Sequence, residues 1–409
     1  MYLTAKLSRN ALLTLMNARE RTVVFDGKDY FIDEAIILTS NTHVIVDGCK
    51  IKQNDKVFDN IFRGENVIIN PDDPYGYTAG DIHNIKIDGI QASQAKCALE
   101  LRADVRNLEV HKISHTNKEK DTLKVFPPKY PFTLGRSSSS ISNDKLNDDY
   151  FKAYRDAGVL HMELSPAECE EDLMDFEKIK ELAYKYGITL ASYHLPFLPF
   201  EEIDISNVAL AEYSIQHLSK LIDKACRIGI NKFVIHPSGE PIADEERAER
   251  MKCAKESLAR LADFAAERGA VIAVENLPRT CLGRDSTEIL ELISAHPMLR
   301  VCFDTNHLLR ESHRDFIKAV CDKIVTTHIS DYDFVDEKHF LPGEGRIDWQ
   351  ALIGDLKNGG YNGIWLYELA LTSSRIDRER PLTLMDFARN AEELFTNKPL
   401  TVIKSKPKM

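Results

Sequence analysis

The chain has 409 residues, enough for two domains, and its 43% hydrophobic and 29% charged residues are typical of a globular protein. A net charge of -11 and a pI near 5.7 argue against broad attraction to nucleic acid or to an anionic membrane surface. No run approaches the roughly 20 apolar residues of a membrane span, and the eight cysteines are scattered without a CxxC pair, several inside apolar runs as around Cys302, which suits a reducing cytoplasm.

The first apolar stretch, Ala11–Met16, is followed by Arg19, Glu20 and Arg21 without a small-residue cleavage site. Residues 9–20 therefore read as an amphipathic helix rather than a secretion signal. Residues 22–115 then read as short strands with no long helix among them. Similar phrases recur: HVIVDGCKI from His43, NVIIN from Asn66, NIKIDGI from Asn84 and NLEVHKI from Asn107. Their first apolar residues, Val44, Val67, Ile85 and Leu108, are spaced by 23, 18 and 23 residues. Recurrence at this interval predicts coils of a parallel β-helix. The stretch TVVFDGKDYFIDEAIILTSNTHVIVDG resembles the opening coils of pectate-lyase-like β-helix proteins. Too few coils fit for a long catalytic groove, so residues 1–115 are expected to be a small accessory domain capped by the first helix.

Residues 116–130 are charged and then proline-rich, as in a linker. From there the pattern alternates strand with helix. Strands are expected at 131–135, 159–165, 188–196, 232–237, 271–278, 300–305, 323–330 and 363–369, with helices such as 208–229 and 246–269 between them, both ending in glycine. Eight strands with helix-compatible sequence after each predict a complete (β/α)8 TIM barrel over 131–397, followed by a basic tail at 398–409. The expected fold class is thus α/β, a TIM barrel preceded by a small all-β domain of β-helix type.

The barrel strands share a second property. Several consist of apolar residues and end in a metal-binding side chain, as strands buried on both faces do when only their C-terminal tip reaches a site. In chain order these residues are Glu163, His194, His236, Glu275, Asp304 with His307, His328 with Asp331, and Glu368; His339 lies in the loop after strand seven. Any one of these histidines could be an ordinary core residue. Two glutamates, an aspartate and several histidines at equivalent strand ends are costly to bury together without a metal or a pairing network. A divalent-metal site is the expectation.

The phrases YHLPF, FVIHPSG, VIAVENLP, VCFDTNHLL, THISDYD, HFLPGEGRIDW and LYEL, spread over roughly 131–395, resemble the xylose-isomerase-like barrel superfamily. Its members include sugar and sugar-phosphate isomerases and epimerases, inositol-catabolism dehydratases and isomerases, and apurinic endonucleases. The resemblance to the ketose epimerase branch implies one metal held by Glu275, Asp304, His328 and Glu368, and a substrate contact at His307. Mn²⁺ is the expected ion, with Mg²⁺, Co²⁺ or Zn²⁺ as alternatives. Such an ion can chelate a substrate carbonyl and its neighbouring hydroxyl, so that charge on these oxygens is stabilised when a proton leaves the adjacent carbon. Glu275 and Glu368 form the natural pair to remove and return that proton. His194, His236, His307 and His339 are expected as substrate-binding or further metal-binding residues, with Glu163 a weaker candidate for the same role.

The apurinic endonuclease branch implies another arrangement, three zinc ions held by additional histidines. This chain offers candidates at nearly every such position, but Glu337 stands where that branch has an aspartate two residues before the loop histidine. Acidic loops such as PSGEPIADEERAE after His236 argue against tracking a phosphate backbone. Phe197 and Leu198, just after His194, fit a hydrophobic lid over a sugar better than a DNA wedge. The expected function is therefore a metal-dependent sugar, polyol or keto-sugar isomerase or epimerase. Its alternatives are a dehydratase or lyase on a similar polyol and a multi-zinc phosphodiesterase. The expected partner is a small sugar or polyol, with neither nucleic acid nor membrane, in a cytoplasmic protein that has surfaces for a homo-oligomer. A phosphorylated substrate would need a basic or glycine-lined cradle, for which GRSSSS (135–140) and PGEGR near Arg346 are the candidates.

Overall fold

The computed structural model describes residues 130–139, 141–166, 173–373, 375–401 and 403, together with short strands within 21–125. The chain divides into two compact units, Met1–Lys129 and Tyr130–Met409. In the first unit, Arg21–Asp26, Thr42–Asp47, Lys86–Asp88 and Glu109–His111 pair in parallel, in that order. Further short strands between them also pair in parallel, such as Tyr30–Ile32 with Ile51–Gln53 and Ile36–Leu38 with Phe62–Gly64, while residues 1–20, and with them the expected capping helix, lie outside the described residues, as do most turns of the expected β-helix. Leu123–Val125, inside the stretch read as linker, is a strand paired with Leu99–Leu101. Three residues between a charged run and two prolines are too short to announce themselves by periodicity.

Among the described residues of the second unit, eight strands alternate with eight α-helices. The strands are β1 (Thr133–Ser137), β2 (His161–Leu164), β3 (Thr189–His194), β4 (Lys232–Ile235), β5 (Val271–Glu275), β6 (Arg300–Asp304), β7 (Ile324–His328) and β8 (Ile364–Tyr367). The helices are α1 (Asp148–Ala157), α2 (Phe176–Tyr186), α3 (Ala211–Arg227), α4 (Arg247–Ala266), α5 (Ser286–Ile293), α6 (His313–Val320), α7 (Trp349–Asn358) and α8 (Leu384–Phe395). All strands are parallel, and β8 lies beside β1. The ring closes between β7 and β8, where the Ile329 N–H donates to the Leu366 carbonyl at 2.8 Å and the Glu368 N–H donates to the Ile329 carbonyl at 3.2 Å. At the same seam Thr327 Oγ1 donates to the Ile364 carbonyl at 2.7 Å.

In β5 and β6 every residue after the first is buried, because barrel interior and helix layer cover the two faces. That is why these strands read as continuous apolar runs rather than alternating ones. Helix starts follow from local chemistry. Asn147, Asp175, Asp285, Ser312 and Asp348 each accept a backbone N–H of the first turn with their side chains. Gly158 and Gly187, at φ of 71° and 63°, end α1 and α2 in the left-handed region that glycine adopts without strain.

Both candidate phosphate cradles serve the framework instead. Gly135, Arg136 and Ser137 belong to β1, and the fully buried Arg136 donates to the Tyr150 hydroxyl at 2.8 Å and the Leu369 carbonyl at 3.0 Å. The PGEGR segment wraps around Asp331, whose carboxylate accepts the N–H groups of Tyr332, Gly343 and Ile347 and the indole N–H of Trp349. A Cβ at Gly345 would collide with that carboxylate and with the Tyr332 carbonyl. Within the stretch read as a tail, Thr401 still donates to Glu393 and Ile403 is buried.

Replacing Asp331 by alanine would strand four donors, three of them on backbone. Asp331→Ala is expected to cost about 3 kcal/mol in urea unfolding, and a loss below about 1 kcal/mol would refute this anchoring role. Asp386 supplies a pH-dependent counterpart. Burial pushes its carboxyl up, but hydrogen bonds from Arg380 and Thr383 outweigh this and hold it well below the ordinary range. A depressed carboxylate stabilises the fold above its unfolded pKa of about 4, and that contribution is lost as pH falls. Asp386→Asn is thus expected to destabilise by about 1–2 kcal/mol at pH 7 and by clearly less at pH 3; equal losses at both would contradict it.

Candidate metal centre

The strand tips deliver their side chains to one end of the barrel. His194, Glu275, Asp304 and His328 are the last residues of β3, β5, β6 and β7, and His236 and Glu368 each stand one residue beyond β4 and β8. Ligand atoms of Glu275, Asp304, His328 and Glu368 lie within 4.8 Å of one another. His328 Nδ1 stands at the middle of this group, 3.0 Å from Glu275 Oε1, 3.0 Å from Glu368 Oε2 and 3.9 Å from Asp304 Oδ2. The other oxygen of Glu275 faces His194 Nε2 at 3.2 Å and His236 Nε2 at 3.3 Å.

Asp304 is the group the protein leaves least satisfied. Its Oδ1 accepts the Asn306 N–H at 2.5 Å, while Oδ2 is buried without a hydrogen-bond partner. Burial and the charges of Glu275 and Glu368 push its carboxyl well above the ordinary range. A bound cation would reverse that penalty. Three carboxylates and one imidazole are also the mixed hard donor set that suits a divalent ion. These residues fit such an ion.

A second group lies beside the first. Ligand atoms of His307, Glu337 and His339 fall within 4.8 Å of one another, with His307 Nε2 at 3.5 Å from Glu337 Oε2. Burial pulls His307 down to about 4, so its ring is neutral at pH 7. Its Nδ1 lies 3.0 Å from the Asn276 carbonyl, which fixes the proton there and leaves the Nε2 lone pair toward Glu337. His339 follows the same rule, with Nδ1 at 3.3 Å from the Glu368 carbonyl. Its backbone, at φ 52°, is held in the left-handed region while Asn306 Oδ1 accepts the N–H groups of Lys338 and His339.

Nine of the ten residues singled out from the sequence thus occur in or beside this cluster, though not on one level; the tenth, Asp331, anchors the PGEGR segment instead. Glu163 does not reach the barrel mouth. It is fully buried beneath His328, with Oε1 at 3.1 Å from His328 Nε2, and its Oε2 accepts the Ser192 hydroxyl at 2.7 Å. Its expected place among substrate-facing residues is therefore corrected: β2 sends this side chain into the barrel interior, one layer below the tips.

Several supporting residues escaped sequence reasoning. Asn276, next to Glu275, grips the Asp304 backbone twice, donating from Nδ2 to the carbonyl at 2.9 Å and accepting the N–H on Oδ1 at 2.8 Å. Phe197, which the sequence did single out as a lid residue, stacks on His236 with ring centroids 3.9 Å apart. Arg279 pairs with Glu240, Asp336 and Glu337, and Arg375 also reaches Glu337. The only signal for Asn276 and Asn306 was an amide one or two residues past a strand-tip carboxylate. The arginines carry no signal, because their partners lie on other loops.

Comparison with known proteins places this geometry in a family. Residues 151–388, more than half of the chain, match the family described as "Xylose isomerase-like TIM barrel". The uncharacterized protein MJ1188 of Methanocaldococcus jannaschii is 25% identical over 244 residues, covering 58% of this chain and 87% of that one. The fructoselysine 3-epimerase of Escherichia coli O157:H7 is 26% identical over 122 residues, 28% of this chain and 44% of the epimerase. Among solved structures, a D-tagatose 3-epimerase-like protein superposes with TM-score 0.53 at 18% identity, covering 64% of this chain and 96% of its own. An L-ribulose 3-epimerase superposes with TM-score 0.52 at 20% identity, covering 64% and 93%. At these identities the structural likeness speaks for the fold alone, and the fold, the strand-tip ligands and the matched residues agree: the chain belongs to the xylose isomerase-like TIM barrel family.

Proposed function

We propose that the barrel is a divalent-metal-dependent epimerase or isomerase of a sugar or keto-sugar. One observation carries this reading: Glu275 and Glu368 approach the same imidazole nitrogen from β5 and β8, each at 3.0 Å, beside an Asp304 oxygen that has no hydrogen-bond partner. Glu275, Asp304, His328 and Glu368 would hold the cation, which when bound supplies Lewis-acid stabilisation of negative charge on substrate oxygens.

The remaining chemistry falls to side chains of the chain. The more accessible carboxylate, Glu368 at 14% exposed, is placed to take the proton from the carbon beside the substrate carbonyl. Glu275, 1% exposed, has Oε2 toward His194 and His236, which can deliver a proton to it for return to the substrate. His307 and Glu337 stand at the open side and can bind substrate hydroxyls. Phe197 shields His236 from water on the opposite flank. The likeness to a fructoselysine 3-epimerase supports a ketose-like substrate. Among the described residues, no helix is long and apolar enough to cross a membrane.

With Mn²⁺ present, solvent deuterium is expected to enter the carbon next to the carbonyl of a ketose. Glu368→Gln should slow this exchange by about 10²–10⁴-fold without abolishing the fold. A broad ketose panel showing no exchange with metal-loaded protein would overturn the proposal.

The His307–Glu337–His339 group favours a second reading, a multinuclear site and hydrolytic chemistry. Metal analysis of the purified protein separates the two. One tightly held ion, unaffected by His339→Asn, is expected for the epimerase. Three Zn²⁺ per chain, falling to two in His339→Asn, together with nicking of an abasic duplex, would establish the second reading instead.

A further inference from the structure

The histidines around the site are held in two different ways. His194, His307 and His339 each turn Nδ1 toward a backbone carbonyl, those of Leu195, Asn276 and Glu368 at 2.9, 3.0 and 3.3 Å, and Nε2 of His194 and His307 faces Glu275 at 3.2 Å and Glu337 at 3.5 Å. His328 is turned around. Its Nδ1 faces Glu275 and Glu368, and its Nε2 faces the Glu163 carboxylate at 3.1 Å. Both residues are 0% exposed, so the pair sits away from water. The second oxygen of Glu163 accepts the Ser192 hydroxyl at 2.7 Å from the neighbouring strand β3, which fixes the carboxylate plane.

A carbonyl and a carboxylate do different things to an imidazole. Both hold the proton on the nitrogen that faces them, but only the carboxylate adds a full negative charge, which strengthens electron donation by the opposite nitrogen. We infer that Glu163 is a positioning residue for the metal centre: it keeps the His328 proton on Nε2 and makes Nδ1 the strongest imidazole donor of the site. The inference rests on the metal-dependent reading above. A buried anion one layer beneath the ligands would otherwise only add to the repulsion among Glu275, Asp304 and Glu368. Placed behind the ring, it raises the preference of the site for a cation.

The test is Mn²⁺ binding to the full-length protein, measured by calorimetry without any substrate. Glu163→Gln keeps shape and an acceptor for the Nε2 proton but removes the charge; it is expected to weaken Mn²⁺ binding about 10–100-fold. Ser192→Ala, which frees the carboxylate plane but keeps the charge, should weaken binding less and keeps the question open to experiment if Glu163→Gln does not fold. In Co²⁺-loaded protein the exchangeable ring N–H proton of a bound histidine gives a shifted proton resonance. One such resonance should move in Glu163→Gln but stay in Thr327→Val, a variant at the β7–β8 seam. Unchanged Mn²⁺ affinity and unchanged resonances in Glu163→Gln would overturn the role of Glu163 alone. A parent protein that binds no divalent cation would overturn the functional reading together with this one.

Discussion

The dominant constraint on this barrel is negative charge concentrated where water is scarce. Glu163, Glu275, Asp304 and Glu368 all direct carboxylates into a space with His328 at its middle. In a low-dielectric interior such a group repels itself strongly unless positive charge or N–H donors are packed among it. The surrounding architecture answers that demand in graded fashion. Glu275 is flanked by four histidines, Glu163 by a histidine and a hydroxyl, and Asp304 keeps one oxygen without a hydrogen bond. The residual mismatch is the feature a bound cation would relieve.

Rigidity is supplied from two sides. Below the tips, backbone pairing around the ring sets ligand spacing, as where Asp304 is in register with His328. Above them, loops are tied by charged hubs. Arg279, from the loop after β5, holds Glu240 of the loop after β4 and both Asp336 and Glu337 of the loop after β7. Glu344, buried in the same long loop, is gripped by Arg378. A loop with few apolar residues is thereby ordered by ion pairs sheltered enough to count.

The eight-strand count and most residues of the candidate centre were legible because the strands are covered on both faces and end in a polar residue. Chain periodicity carries the strand-tip positions directly, so Glu275, Asp304, His328 and Glu368 stand out in the sequence as polar ends of apolar runs, while their grouping as one set comes from the family resemblance. Depth was not legible. Glu163 ends a phrase with the same grammar as the others, yet it sits one layer lower, a difference set by strand stagger around the ring and not by composition. The GRSSSS phrase misled for a related reason. Its glycine and serines suggested a loop, whereas the neighbouring strands carry β1 through Ser137 and a pair of tyrosines on α1 takes up the arginine. Partners such as Arg279 and Glu337, 58 residues apart along the chain, leave no local trace at all.

The double grip of Asn276 on the Asp304 backbone has a mechanical meaning. Its amide presents one donor and one acceptor to a neighbouring strand, as a peptide unit would, and so extends the β5–β6 ladder by a rung built from a side chain. Glu275 and the Asp304 carboxylate therefore travel as a single body. The spacing between these two carboxylates is thereby set twice, once by the backbone ladder and once by a side chain that imitates it.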